Sequence, residues 1–127
     1  MSELTIPAAH NNVRLAASIA YADTGTANSR IEFYDAADAL LVTMVLAKPC
    51  GAIVANKIVL EQEEVGGDQI TVQGDAVRAV WINGDDDIVG EGAVTDEAGE
   101  GPFKVSGTTG TRLYAGAYAI LGLTALD

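Results

Sequence analysis

Two acidic clusters are the first candidates for chemistry. Asp85-Asp86-Asp87 are consecutive, and Asp96, Glu97 and Glu100 follow close behind. Calcium takes about six to eight oxygens, often from alternating acidic positions with a glycine at the bend. Asp85 and Asp87 alternate, but Val89 takes the next such position and no glutamate follows at EF-hand spacing. Both clusters read as solvated loop charge. Paired carboxylates also serve as acid and base in glycoside hydrolysis. Carboxylates abound here, yet their spacing singles out no two that face each other across a cleft. Trp81 has the size of a sugar platform, and an anchor in a core or an interface suits it as well.

Nucleophilic chemistry has few residues to draw on. A His–nucleophile–acid set needs a positioned serine or cysteine. His10 stands in the N-terminal segment, Ser18 falls on a predicted helix, and Ser29 and Ser106 border predicted strands without a nucleophile-elbow motif. Cys50 has only Lys48 as a nearby cation in sequence, so it reads as a small buried hydrophobe. Gly90-x-Gly92 and Gly107-x-x-Gly110 lack the strand-to-helix context and the Lys-Ser or Lys-Thr of a phosphate loop, and read as turns or bulges. Arg14, Arg30, Lys48, Lys57, Arg78, Lys104 and Arg112 are scattered and make no basic patch. The sequence thus nominates no catalytic, cofactor-binding or metal-binding residue, and a non-enzymatic protein is expected.

Composition narrows the class further. The chain has 127 residues, 49% of them hydrophobic and 20% charged, which fits one folded domain. Seven Lys and Arg against 18 Asp and Glu leave a net charge of −11, which repels phosphate backbones and argues against nucleic acid as a partner. A single cysteine forms no internal disulfide, and with one histidine it makes no usual zinc site. The start, Met1 to Pro7, has neither the basic nor the apolar region of a secretory leader. The longest apolar run, Ala39 to Ala47, is broken by Thr43 and is too short to span a bilayer. Synthesis in a cytoplasm and no membrane partner are the expectations.

The elements that would position these residues follow from periodicity. Residues 1–10 read as an extended arm, since Pro7 disfavours helix before it. Asn11 or Asn12 caps a helix over about residues 12–22, with Val13, Ala16, Ala17 and Ala20 on one face and Leu15 and Ile19 alongside. The period then drops to two. Ile31 and Phe33 share a face of the next segment. Leu40 to Leu46 reads as a central strand ended by Pro49 and Gly51. Lys57 to Glu61 is a strand, and Gln69 to Gln73 is another with Ile70 and Val72 inward. Ala76–Asn83 and Ile88–Val94 form a hairpin about a type I′ turn at Asn83-Gly84, the strongest turn signal in the chain. Asp96 to Pro102 is an acidic, glycine-rich loop, and Phe103 to Val105 is a short strand. In the last segment Tyr114, Gly116, Tyr118 and Ile120 share one face, and Leu113, Ala115, Ala117, Ala119 and Leu121 the other. Turn signals roughly every ten residues predict an all-β, antiparallel β-sandwich or barrel over residues 11–127, with one short N-terminal helix.

The order of these segments resembles small virion proteins of tailed bacteriophages. The resemblance rests on the helix Asn12-Val13-Arg14-Leu15-Ala16-Ala17-Ser18-Ile19, the strand Ser29-Arg30-Ile31-Glu32-Phe33-Tyr34-Asp35 and the apolar strand ending Leu46-Ala47-Lys48-Pro49. It continues through Gly74-Asp75-Ala76-Val77-Arg78-Ala79-Val80-Trp81 and Val89-Gly90-Glu91-Gly92-Ala93-Val94, and departs at the acidic loop 96–100. It implies a β-sandwich, often a jelly roll, that serves as a capsid cement or decoration protein on the outside of the head. The implied partners are the major capsid protein and further copies of itself, as a homodimer or homotrimer. A tail, neck or baseplate component is the alternative within that class, and a carbohydrate-binding β-sandwich with Trp81 and a tyrosine as platform is the alternative outside it.

Overall fold

The computed structural model describes residues 5–107, 110–122 and 124–126. Among the described residues strand predominates, with one helix, one large curled sheet and a small two-stranded ladder.

Helix α1 spans Ala8–Ala22. It begins inside the segment expected to be an extended arm, so only residues 5–7 of the described chain precede it, and residues 1–4 lie outside the described ones. Pro7 sits at the N-cap in extended geometry, and its carbonyl accepts the Asn11 N–H at 2.9 Å. Proline suits a helix start because its missing N–H would be unpaired there anyway. The expected capping asparagines are therefore interior. The expected apolar face is buried at its flank and not at its centre. Leu15 and Ala22 are buried and Ser18 and Ile19 half-buried, whereas Val13, Ala16, Ala17 and Ala20 face solvent. Burying Leu15 supplies about 2 kcal/mol of the docking energy.

Strands β1 (Arg30–Tyr34), β2 (Leu40–Val54) and β3 (Lys57–Gln62) form an antiparallel meander. Ile31 and Phe33 point to the core, as their alternation predicts. Strand β2 does not stop at Pro49 and Gly51. It continues to Val54, and an irregularity between Leu46 and Gly51 absorbs the proline without ending the strand. The β2–β3 turn is Ala55-Asn56, both at positive φ (51° and 66°), the geometry of a type I′ turn. The Asn11 side chain of α1 donates to the Asn56 backbone carbonyl and side-chain oxygen, which clamps this turn to the helix.

Strand β4 covers only Asp68–Gln69. The longer strand expected over Gln69 to Gln73 is absent, because the Thr71 and Val72 N–H groups both turn to the Leu41 carbonyl. Ile70 is buried as expected, and Val72 is exposed. Short β5 (Gly74–Asp75) pairs with β9 (Arg112–Leu113) in a separate two-stranded ladder.

Strands β6 (Arg78–Ile82) and β7 (Ile88–Asp96) make the expected hairpin, with a different turn. Positive φ falls on Asp86, not on Asn83 and Gly84. Asn83 is fully buried. Its Oδ1 accepts the N–H groups of Asp85 and Asp87, and its Nδ2 donates to the Tyr21 carbonyl of α1. Gly84 packs against the backbone of Ala27, where no Cβ would fit. The hairpin tip is thus shaped by docking on the end of the helix.

Strand β8 (Phe103–Ser106) runs parallel to β7, so the sheet is mixed and not antiparallel throughout. Residues 97–102 make the return, far fewer than a usual parallel crossover needs. Gly99 and Gly101 permit it: a Cβ on either would lie 2.5 Å and 2.8 Å, respectively, from the Thr95 side chain.

The sheet order is β11-β3-β2-β1-β6-β7-β8-β10-β4, where β10 is Tyr118–Leu121 and β11 is Ala125–Leu126. The expected alternation of the last segment holds over β10, where Ala119 is buried between exposed Tyr118 and Ile120. It fails at Ala115 and Ala117, which lie exposed in a turn. Because β10 pairs with β8 and β11 with β3, the final segment ties the two ends of the curled sheet together. Gln62 reinforces the closure. Its Nε2 donates to Asp68 Oδ2 at 2.8 Å and to the Ala119 carbonyl at 3.1 Å, and its Oε1 accepts the Leu121 N–H at 2.8 Å. Phe33, Ile31, Leu41, Met44 and Leu46 are the largest fully buried side chains, and Trp81 and Phe103 join them in the core. Among the described residues, no helix is long and apolar enough to cross a membrane.

Candidate functional site

The acidic tip is held by the turn and by one ion pair. Asp85, Asp86 and Asp87 are all exposed, and Asp86 meets the Arg30 guanidinium at 3.0 Å. Arg30 also contacts Glu32 at 3.1 Å, and the Tyr34 hydroxyl donates to Glu32 at 2.6 Å. That bond to a carboxylate, with burial second, raises the Tyr34 pKa above the usual phenol value. Arg78 lies 4.6 Å over the Tyr34 ring and reaches Asp38 at 3.1 Å and Glu91 at 3.6 Å. The outer face of β1, β6 and β7 is therefore a ladder of mutually compensated charges.

In the second acidic cluster, Asp96 is an organiser of backbone. It accepts N–H groups from Gly110 at 2.7 Å, Gly99 at 3.0 Å and Ala98 at 3.1 Å. These bonds, the one from Gly110 foremost, lower its pKa below the ordinary carboxylate value. Among the described residues, no group of three or more His, Cys, Asp or Glu side chains is arranged to hold a metal ion.

The other residues weighed for chemistry are dispersed. His10 is exposed on the first turn of α1. Ser18 donates back to the Arg14 carbonyl within the helix, Ser29 is buried, and Ser106 pairs in β8. Cys50 is fully buried beside Asp23, whose carboxylate accepts the Cys50 N–H at 3.1 Å. Burial first, then the Asp23 charge, pushes its thiol up to about 12, so no thiolate is available near neutrality. Trp81 is only 4% exposed and does not present its ring to solvent.

What the surface does present is apolar and aromatic. Tyr114 is 58%, Tyr118 62% and Ile120 42% exposed, all near the β4–β10 end of the sheet. The tyrosines flank a cavity of about 210 Å³ whose base is formed by Ile70, Val105 and Leu113. Arg112 lies 5.9 Å from the Tyr114 ring and pairs with Asp75 at 3.5 Å. The shared exposure of Tyr118 and Ile120 was legible from alternation, and Tyr114 joins Tyr118 at the cavity across a turn. The cavity beside it was not, because it depends on where residues 112–117 turn. Such a surface can stack, bury apolar area and hydrogen-bond through two phenols.

No family model matches this chain, and neither a curated protein nor a solved structure does.

Proposed function

We propose that this chain is a non-enzymatic structural protein of a tailed-phage virion, a capsid cement or decoration protein that binds the major capsid protein on the head surface. In this reading the curled sheet acts as a jelly-roll-like sandwich, made in the host cytoplasm and added to the shell as a homodimer or homotrimer. The observation that carries it is the group of exposed large apolar side chains at Tyr114, Tyr118 and Ile120 on a small closed framework. Exposed apolar groups clustered on one face mark association surfaces, and tyrosine is favoured in them. A protein that binds only the assembled shell stabilises it by mass action.

Sedimenting the purified chain with bare capsids of its phage tests the proposal. Co-sedimentation that is saturable and lost in a Tyr114→Ala, Tyr118→Ala double variant is expected. Failure of the native protein to sediment with capsids at saturating concentration overturns it, and binding to tails instead moves the protein to the tail, neck or baseplate. A second reading draws on the same tyrosines: with Arg112 they could stack on a sugar for host attachment. Trp81, being buried, is not part of that platform. Glycan-array binding lost in the same double variant would favour it.

A further inference from the structure

Asn83-Gly84 is a turn signal and also a reactive dipeptide. In an Asn-Gly pair the main-chain nitrogen of the glycine can attack the asparagine side-chain carbon, because no Cβ on the second residue shields the approach. The new C–N bond closes a five-membered succinimide. The Cγ–Nδ2 bond breaks, and ammonia leaves with the main-chain proton. Water then opens either carbonyl of the ring and gives aspartate or isoaspartate. Of the five asparagines Asn83 alone precedes a glycine, since Asn11, Asn12, Asn28 and Asn56 are followed by Asn12, Val13, Ser29 and Lys57.

The folded tip opposes every step. Asn83 is fully buried, which keeps water from the ring carbonyls. Ring closure needs Cγ to swing onto the Gly84 nitrogen, but the amide is held at both ends. Its Oδ1 accepts the N–H groups of Asp85 at 3.0 Å and Asp87 at 2.9 Å, and its Nδ2 donates to the Tyr21 carbonyl at 3.2 Å. The Gly84 N–H is itself taken by the Thr24 carbonyl at 3.0 Å. Tyr21 lies in the last turn of α1 and Thr24 just beyond its end. The restraint is therefore tertiary. It lasts while the helix is docked, and buried Leu15 and Ala22 anchor that docking.

We propose that Asn83 is a latent deamidation site gated by the docking of α1. When the helix end lifts from the hairpin tip, the dipeptide regains the freedom of an unfolded chain and reacts. The change runs one way. Aspartate sets a carboxylate where the amide donated to the Tyr21 carbonyl, in a fully buried position that disfavours charge. Isoaspartate lengthens the main chain by one carbon beside Gly84, which has no room to move against Ala27. Either product weakens the return of the helix, so the tip records an opening that has occurred. This gating needs only the hairpin and the helix, and holds whether or not the chain binds capsids.

Peptide mapping by mass spectrometry, after incubation in mildly alkaline buffer with and without concentrated urea, tests the proposal. In urea Asn83 should be the fastest of the five asparagines to deamidate. In the folded protein its rate should fall at least about thirtyfold. Leu15→Ala leaves every partner atom at the tip in place and removes a buried anchor of the helix, so it should speed deamidation of the folded protein at least about tenfold. Val13→Ala, on the exposed face of α1, should leave the rate unchanged. Should Leu15→Ala not fold by circular dichroism, Ile19→Ala, at a half-buried position packed on the core, carries the same reading with a smaller increase. The deamidated fraction, separable by its added negative charge, should melt below unmodified protein. Native protein that deamidates at Asn83 as fast as the chain in urea overturns the closed site. A folded helix-anchor variant with the native rate overturns the gate, and a deamidated fraction that melts with native protein overturns the one-way change.

Discussion

Removing the side chain of Gln62 should open the curled sheet where its ends meet. Gln62 makes three hydrogen bonds across the closure, to Asp68, to the Ala119 carbonyl and from the Leu121 N–H. A neutral hydrogen bond contributes about 0.5–1.5 kcal/mol and one to a charged group about 1.5–3. Gln62 is half-buried, so water replaces part of what is lost, and about 3 kcal/mol is a working value for Gln62→Ala. For a chain of this length the unfolding entropy is roughly 0.27 kcal/mol/K, so Tm falls by about 11 °C. Urea unfolding followed by circular dichroism gives the same quantity from the midpoint at constant slope.

Gln62→Glu separates closure from generic packing. The carboxylate keeps an acceptor for the Leu121 N–H but sets an oxygen against Asp68 and the Ala119 carbonyl, where the amide donated. Like charge raises the pKa of the introduced acid above its unfolded value. An acid whose folded pKa is raised destabilises most when ionised, and stability returns as pH falls through that raised value. The variant should therefore be at least as unstable as Gln62→Ala at pH 7, and recover relative to native protein as its new carboxyl protonates and donates to Asp68. A loss under about 1 kcal/mol for Gln62→Ala, or a Gln62→Glu variant with the pH profile of native protein, would refute the view that this amide closes the sheet.

The remaining predictions concern residues whose roles the fold assigns. Asn83→Ala should cost about 2–3 kcal/mol by denaturant titration, since the hairpin tip loses two accepted N–H groups and the link to Tyr21. Asn83→Asp keeps the acceptor and should fall between it and native protein. Asp96→Asn should destabilise at neutral pH, because an amide oxygen replaces a carboxylate holding three N–H groups. The Asp96 pKa is lowered by folding, so its contribution is present above the ordinary carboxylate range near 3.9. It is lost as pH falls through the folded value, and the gap between variant and native melting temperatures should narrow below about pH 4. Cys50 should resist iodoacetamide in the folded protein and react on unfolding. Its folded pKa is raised, so native stability should decline above about pH 8.5 by roughly 1.4 kcal/mol per pH unit, a slope absent in Cys50→Ala.

Local signals carried the parts of the fold that local forces decide. Ile31 and Phe33 alternate because one face of β1 is core, and the exposed face of Tyr118 and Ile120 is read in the same way. Apart from the helix start, where Pro7 is itself a local signal, the failures are tertiary. Ala55-Asn56 carries no turn signature in its alanine, and positive φ there is held by Asn11, remote in sequence. Asn83-Gly84 marks a real hairpin, but Asn83 bonds to Tyr21 of the helix and Gly84 fits against Ala27, so the turn takes another form. The parallel return into β8 depends on Gly99 and Gly101 folding onto Thr95, which no spacing rule exposes. Of the candidate site, the exposed face of Tyr118 and Ile120 was visible, whereas the cavity beside it needed coordinates.

Gly90 and Gly92 look equivalent in sequence and are opposite in kind. They alternate along β7, facing Trp81 and Ala79 across the ladder. A Cβ at Gly92 would lie 2.6 Å from the Pro102 ring and 3.5 Å from Phe103, so packing alone accounts for that glycine. Gly92→Ala should cost about 1–3 kcal/mol by forcing the 97–102 return away from the strand. At Gly90 the same methyl group meets empty space, and the unfolded chain loses freedom when glycine is replaced. Gly90→Ala should therefore leave stability unchanged or raise it by about 0.4–1 kcal/mol. If the two variants melt in that order, close packing fixes Gly92 and the core does not need the open space at Gly90. If Gly90→Ala is the more damaging, that space belongs to the packing of α1 on the sheet, and the two glycines are alike after all.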